Sequence, residues 1–416
     1  PKTAPSRETP PVGKPDRELK ATRVQGPTGF VRSRRALLVL YIVVALLFWM
    51  CLYLYAPTLP TYAQTKTGNL SAVGLILAQY GLWQAIIRLP VGIAADWLGR
   101  RKPFIIGGLA LAGLGAWMMG SSDTAWGLGV GRAVTGLGAA TWVPLITVFS
   151  SLFPAQDAVT ATALLSAIGS VGRVTATSVT GSLNNLGGYS LAFYLAAAIA
   201  GLAALLVLPA REKVHAPRKP SVEGIGQVIT RRDVLLPSVL AALVQYYIWA
   251  VTFSFMPILA DRLGATDVTQ SMLMSLHVGL VALGSFSAAA VVRRMGALRL
   301  VYLTFLFLAA GTALTALAPN LAVVFVAQFL LGVGRGLGYP VLMGLSIRDV
   351  ADAQRTTAMG LHQSVYSIGM FAGPWLSGLM ADAMGIRPML GLTAAACLTA
   401  ALVLIRLLPA TQANHR

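Results

Sequence analysis

Four arginines, Arg88, Arg132, Arg173 and Arg335, stand inside long apolar runs, whereas none of the acidic residues falls in the middle of such a run. Glu8, Asp16, Glu18, Glu212, Glu223 and Asp233 lie in polar segments. Asp123, Asp157, Asp261, Asp267, Asp349 and Asp352 fall in loops or at helix ends, and Asp96 and Asp382 close their own runs. A charge inside an apolar span is costly, and it usually marks a pathway or pairs with an opposite charge. With no carboxylate at their depth, these arginines point to a small organic or inorganic anion as the missing partner. The planar guanidinium fork suits a carboxylate or phosphate. Arg173 and Arg335 sit nearest mid-run and are the first candidates for that contact. Arg132 has a second use open to it, in packing and backbone hydrogen bonding. Arg88 lies only eight residues before Asp96, about 12 Å along a helix, and could instead snorkel to the head groups.

Polar and aromatic groups at similar depth could complete a pocket: Tyr80, Gln84, Trp142, Gln245, Tyr246, Trp249, Tyr339, Gln363 and Tyr366. Tyr80 and Gln84 share a helix face by their spacing, as do His362 and Tyr366. Such groups serve more often as interhelical hydrogen-bond partners or interface aromatics. His277 and His362 are the candidates if proton movement is coupled, because histidine titrates near neutrality. No zinc-like, Walker or nucleotide-binding pattern is present, and no nucleophile–base pair suggests an enzyme. The expected cofactor set is empty, with no metal.

These side chains need elements that cross a membrane. The 416 residues are 56% hydrophobic and 11% charged, against about 25% charged in soluble domains, and the mean hydropathy is +0.71. About 20 apolar residues span a bilayer. Apolar runs at 36–59, 70–95, 103–121, 124–152, 157–183 and 188–208 form a first half, and runs at 233–260, 268–293, 298–318, 320–346, 354–380 and 387–408 a second. The reading is an all-α polytopic membrane protein of twelve transmembrane helices. Its domains are a basic disordered tail over 1–35, a six-helix half over 36–208, a linker over 209–232, a second half over 233–408 and a short tail over 409–416. Forty-two glycines suit helices packed backbone to backbone. Cys51 and Cys397 fall in apolar runs and read as buried thiols.

The net charge of +18 is distributed by side. The tail, the linker and loops such as Arg100–Lys102, Arg293–Arg294 and Arg348 carry most of it, while the other side has Lys66, Arg262 and Arg387. That asymmetry places both termini in the cytoplasm of a cell (plasma) membrane, and it argues against nucleic acid as a partner. The bilayer and a small-molecule substrate, with a coupled ion as an option, are the expected partners of a chain expected to work as a monomer.

The halves repeat. Gly136, Gly138 and Pro144 recur 196 residues on as Gly332, Gly334 and Pro340. Gly99, Thr160, Ala161, Gly172 and Gly181 recur at 197 as Gly296, Thr357, Ala358, Gly369 and Gly378. Such internal symmetry is expected of a transporter with its site between two halves near mid-membrane.

The segment Gly92-Ile-Ala-Ala-Asp96-Trp-Leu-Gly99-Arg100-Arg101-Lys102 resembles the loop signature of the major facilitator superfamily of secondary transporters. Arg132-Ala-Val-Thr-Gly136-Leu-Gly138-Ala-Ala resembles its fourth-helix signature, and Gly369 to Gly378 looks like a small-residue packing segment. Arg293 stands where the second half would repeat Asp96, and Gly172-Arg173 stands where drug–proton antiporters of the family carry Gly-Pro. The resemblance implies alternating access, in which two pseudo-symmetric halves rock about a central site. Within it Asp96 would act as a latch with Gly92, Gly99, Arg100 and Arg101, its carboxylate favouring the N-terminal end of span eleven near Ala353 to Arg355. Efflux of amphipathic drugs is the alternative to anion transport, and a lipid flippase or a non-transporting sensor stands behind both. A flippase would need a side opening between helices.

Overall fold

The computed structural model describes residues 33–212, 229–351 and 354–408, and among these the chain is helical with no strand. The first 32 residues of the basic tail, most of the linker, Asp352, Ala353 and the last eight residues lie outside them, as do the side chains of Asp96 and Arg355. α1 (Arg34–Tyr53) and α2 (Leu59–Lys66) share the first span. α3 (Leu70–Leu98) and α4 (Lys102–Ser121) follow, and α5 (Ala125–Ala139) and α6 (Trp142–Ser150) divide the fourth. α7 (Ala158–Val207) is one continuous run only nominally: Gly187 at φ −148° and Gly188 at φ +68° break it into two crossings. Only glycine adopts the second of these angles without strain. The second half comprises α8 (Arg232–Ala250), a π turn at Val251–Phe255, α9 (Met256–Arg262), α10 (Asp267–Met295), α11 (Ala297–Leu317), α12 (Leu321–Ile347), α13 (Arg355–Met384) and α14 (Ile386–Arg406).

Ten helical stretches are long and apolar enough to cross a membrane by composition. Counting α7 as two crossings and adding the more polar α13 gives the twelve expected spans. The fourth span breaks at Thr141, whose hydroxyl returns to Gly138 O at 2.7 Å just ahead of Pro144. Pro144 has no N–H to offer the Ala140 carbonyl four residues back and its ring crowds that carbonyl, and two half-helices result.

Packing repeats with the sequence offset. A Cβ on Gly136 would lie 2.8 Å from Tyr80 O, and one on Gly332 would lie 3.2 Å from His277 O. A Cβ on Gly115 would lie 2.5 Å from Gly131 O, and one on Gly311 2.9 Å from Ala327 O. The glycines therefore mark equivalent helix crossings in two pseudo-symmetric six-helix halves.

The halves meet along two seams, α3 against α13 and α7 against α10. Both are tight at the face remote from the described chain ends. Gly378 comes within 2.9 Å of Gly74 Cα when given a Cβ, and the Asp382 carboxylate accepts from Leu70 N at 3.2 Å and Ser71 Oγ at 3.3 Å. That carboxylate caps α3 from the other half. At the second seam Ser271 Oγ accepts from Gly181 N at 2.7 Å, and Asp267 accepts from Asn184 Nδ2 at 2.8 Å. Asn184 also donates to Thr58 Oγ1 at 2.9 Å. At the opposite face, where the chain ends lie, Arg231 donates to Asp349 O at 2.7 Å within the second half.

The loop at that opposite face has its own clamp. Gly99 takes φ +61°, as the tight reversal requires. The Glu212 carboxylate accepts from Arg101 N and, at 3.0 Å, from Lys102 N, which caps α4. Lys102 Nζ donates to Leu208 O at 2.6 Å and Ala210 O at 2.9 Å. Glu212 reads in the sequence as one more linker charge; in the fold it fastens the end of span six to the start of span three.

Candidate functional site

Each membrane arginine faces an aromatic ring. The guanidinium carbon of Arg132, on α5, lies 4.2 Å from the Tyr80 ring centroid and 6.0 Å from that of Trp249. Arg173, on α7, lies 4.4 Å from Trp49 and 5.8 Å from Tyr53. Arg335, on α12, stands 6.0 Å from Phe253. Arg88, on α3, stands 5.4 Å from Tyr366 and donates to its hydroxyl across the seam; it also donates to Gln84 Oε1 at 2.5 Å. It therefore turns inward to bridge the halves rather than snorkelling along α3.

The rings form a path between the halves. Tyr80 stacks on Trp249 at 5.3 Å and 21°, and Trp249 on Phe253 at 4.7 Å and 17°. Phe253 meets Tyr53 edge-on at 6.0 Å, Tyr53 meets Trp49 at 5.8 Å, and Trp49 meets Trp142 at 5.0 Å. Trp249 and Phe253 flank the start of the π turn, and π-helical turns often occur at functional sites. The break after Ala139 likewise sets Trp142 at a half-helix start.

Polar satisfaction here is one-sided. Arg88 Nε, Arg132 Nε and Nη1, Trp49 Nε1 and Trp249 Nε1 are buried without a protein partner. All five atoms can only donate. Arg132 is 4% exposed and Trp249 4%. His277 is fully buried beneath the edge of Phe253 at 6.3 Å, with neither ring nitrogen hydrogen-bonded. His362 engages Ser238 Oγ through Nδ1 at 3.1 Å and sits 6.2 Å from the Tyr339 ring. Tyr339 in turn meets Tyr366 at 5.7 Å. Described acidic side chains all lie in loops or terminal turns, away from this band. The cluster can therefore hold an acceptor-rich, flat or apolar-bodied ligand.

Of the residues singled out in the sequence, Tyr80 and Arg132 come together, as do Arg173 and Trp142 through Trp49. Gln84, Tyr339, His362 and Tyr366 gather around Arg88, and Arg335 and His277 around Phe253. Tyr246 does not join them: its hydroxyl pairs with Ser377 Oγ at 3.2 Å between α8 and α13. Gln245 is buried with Oε1 unpartnered. Gly92, Gly99, Arg100 and Arg101 lie at the face of the chain ends, apart from the cluster, and a Cβ on Gly92 would meet nothing within 4 Å. Sequence reasoning missed Trp49, Tyr53 and Phe253, which are ordinary aromatics in apolar runs until the fold sets arginines over them.

Comparison with known proteins bears on this geometry. The family model of the Major Facilitator Superfamily matches residues 41–243 and 238–416. The inner membrane transport protein YajR of Escherichia coli (strain K12) is 39% identical over 89 residues, 21% of this chain and 19% of that protein. The chain thus aligns with about a fifth of that relative's length. The quinolone resistance protein NorA of Staphylococcus aureus is 23% identical over 371 residues, 84% of this chain and 90% of that protein. Among solved structures, a bacterial homologue of the human lysosomal transporter Spinster, inward-facing and occupied, gives a TM-score of 0.75 at 17% identity, covering 90% of this chain and 96% of that one. At that identity the likeness speaks to the fold alone.

Proposed function

Since this chain belongs to the major facilitator superfamily of transporters, we propose that it moves a small organic or inorganic anion across the membrane by alternating access. The observation that carries this reading is the surplus of buried donors at the seam: N–H groups of Arg88 and Arg132 and the indole N–H groups of Trp49 and Trp249 lack a protein partner, with no described carboxylate beside them. A buried donor left without an acceptor costs about 1–3 kcal/mol, and an anion supplies several acceptors at once. Arg173 from the first half and Arg335 from the second are the principal contacts, with Arg132 beside Tyr80. Both termini lie in the cytoplasm and the protein sits in the plasma membrane, by the sided distribution of its positive charge. It works as a monomer. His277 and His362 are the groups through which proton coupling would run.

A thermal-shift panel of organic anions against lipophilic cations, run on the protein alongside Arg173→Gln and Arg335→Gln, tests the reading. Stabilisation by an anion that disappears in either variant is the expected result. Stabilisation mainly by lipophilic cations, indifferent to both substitutions, would overturn it. Counterflow in liposomes then separates a transporter from a sensor.

A second reading, efflux of amphipathic compounds, is favoured by one feature. The Tyr80–Trp249–Phe253 stack offers extended ring faces, and NorA, similar over most of its length, is named for quinolone resistance. In that case the arginines serve packing and the ring faces hold the cargo.

A further inference from the structure

The two seams are closed to different depths. Along α3 and α13, contact runs from Gly74 against Gly378 through Gly81, whose Cβ would lie 2.6 Å from Met370 C. It continues to the Arg88–Tyr366 hydrogen bond and to Leu89, 3.9 Å from a Cβ on Gly360. Along α7 and α10, hydrogen bonding stops at Thr177 and Ser178 with Ser275 Oγ, at 2.8 and 3.1 Å. Beyond Ser275, α10 continues to Met295, about 30 Å further. A Cβ on Gly279 would meet nothing within 4 Å. Phe286, three turns past Ser275 on the same face, is 62% exposed. Ser166, three turns before Thr177 on α7, is exposed as well.

One cation stands at the head of this gap. Arg173, one turn below Thr177, is held by Ser170 Oγ at 2.8 Å and backed by Trp49. The lipid-side rim is apolar: Leu164 is 44% exposed, Val171 59% and Leu283 67%. Arg293 and Arg294 close the last turn of α10 at its mouth. Apolar walls that open sideways into hydrocarbon, with cations at both ends, match one kind of molecule.

We propose that an anionic amphiphile with a single alkyl or acyl chain reaches Arg173 sideways from the membrane, through a portal between α7 and α10. Its head group is drawn in past Arg293 and Arg294 and stops under Arg173, and its chain lies in the gap along Gly279 and Phe286. The inference rests on the anion reading and narrows it to an amphipathic anion with a lateral route.

Binding of ethyl phosphate and dodecyl phosphate is measured by tryptophan fluorescence in zwitterionic-lipid nanodiscs, for the full chain, Gly279→Phe, Ser166→Phe and Arg173→Gln. Longer chains also partition into lipid, so the readout is each variant's affinity relative to the unsubstituted protein. Either phenylalanine should weaken dodecyl phosphate by about tenfold, the effect of displacing roughly two buried methylenes, and leave ethyl phosphate within about twofold. Arg173→Gln should weaken both. Ser166 is exposed, so the second wall variant keeps the test valid if Gly279→Phe fails to fold. Binding of both phosphates unaffected by either phenylalanine would overturn the portal and leave the anion site standing. Binding of neither phosphate to the unsubstituted protein would sink the anion reading itself.

Discussion

Arg132 is a buried cation set against two ring faces, with the Tyr55 hydroxyl beside it. A guanidinium over Tyr80 at 4.2 Å gains cation–π attraction, about 0.5–2 kcal/mol, which offsets only part of the cost of burying a charge. Removing the charge while keeping the bulk should therefore help the empty protein. Arg132→Met is expected to raise or hold the melting temperature and to abolish stabilisation by anions; a fall in melting temperature with ligand response intact would assign the residue to structure alone. Lysine should not substitute, since its ammonium presents no planar fork to a carboxylate or to the ring. The arginines were legible in the sequence because a charge in an apolar run is costly and stands out against its neighbours. Their aromatic partners were not, because Trp49, Tyr53 and Phe253 are chemically at home anywhere in such runs. Nor does the pattern of apolar residues reveal the π turn at Val251–Phe255, which turns on backbone bonding rather than on side-chain type.

At the scale of elements, the remote face is closed by backbone proximity at glycines and by two carboxylates of the second half. Asp382→Ala should uncap α3, at about 1 kcal/mol, and release one seam, whereas Asp382→Asn keeps an acceptor and should act weakly. The measurement is thiol labelling from that face at Ser275→Cys, after replacing Cys51 and Cys397. Labelling should rise in the alanine variant. Gly74→Leu should act in the same direction and more strongly, because a Cβ there already meets the backbone of Pro374 and Gly378. Unchanged labelling in both variants would show that the seal does not depend on this seam. The helices themselves were readable from hydropathy, with ends displaced by a few residues, since a spanning segment must satisfy its backbone internally. The inter-half role of Asp382 was not, because a carboxylate near a helix end reads as a cap of its own helix. The equal spacing of Gly181 and Gly378 marked the internal repeat, and the fold sets each of the two glycines at one seam.

For the whole molecule, alternating access requires the face of the chain ends to close as the remote face opens. Gly92, with open space around it, is where a helix closing on α3 would arrive. Asp96→Asn is expected to slow turnover by about tenfold, which a ~1.4 kcal/mol change in a conformational barrier produces, while substrate affinity stays near its original value. Unchanged turnover would remove the latch. The clamp of Glu212 on Arg101 and Lys102 suggests a companion experiment: Glu212→Gln should loosen the 99–102 loop and increase its hydrogen exchange.

The concentration of guanidinium groups at the seam also has an electrical side. Moving one net charge through a membrane potential of 100 mV is worth about 2.3 kcal/mol. A carrier whose centre is positive when empty, and nearer neutral when loaded with an anion, does not present the same charge to the field on its outward and return journeys. Its cycle then has one voltage-sensitive limb and one that is nearly silent, and clamping the potential across a proteoliposome would set which limb governs the rate.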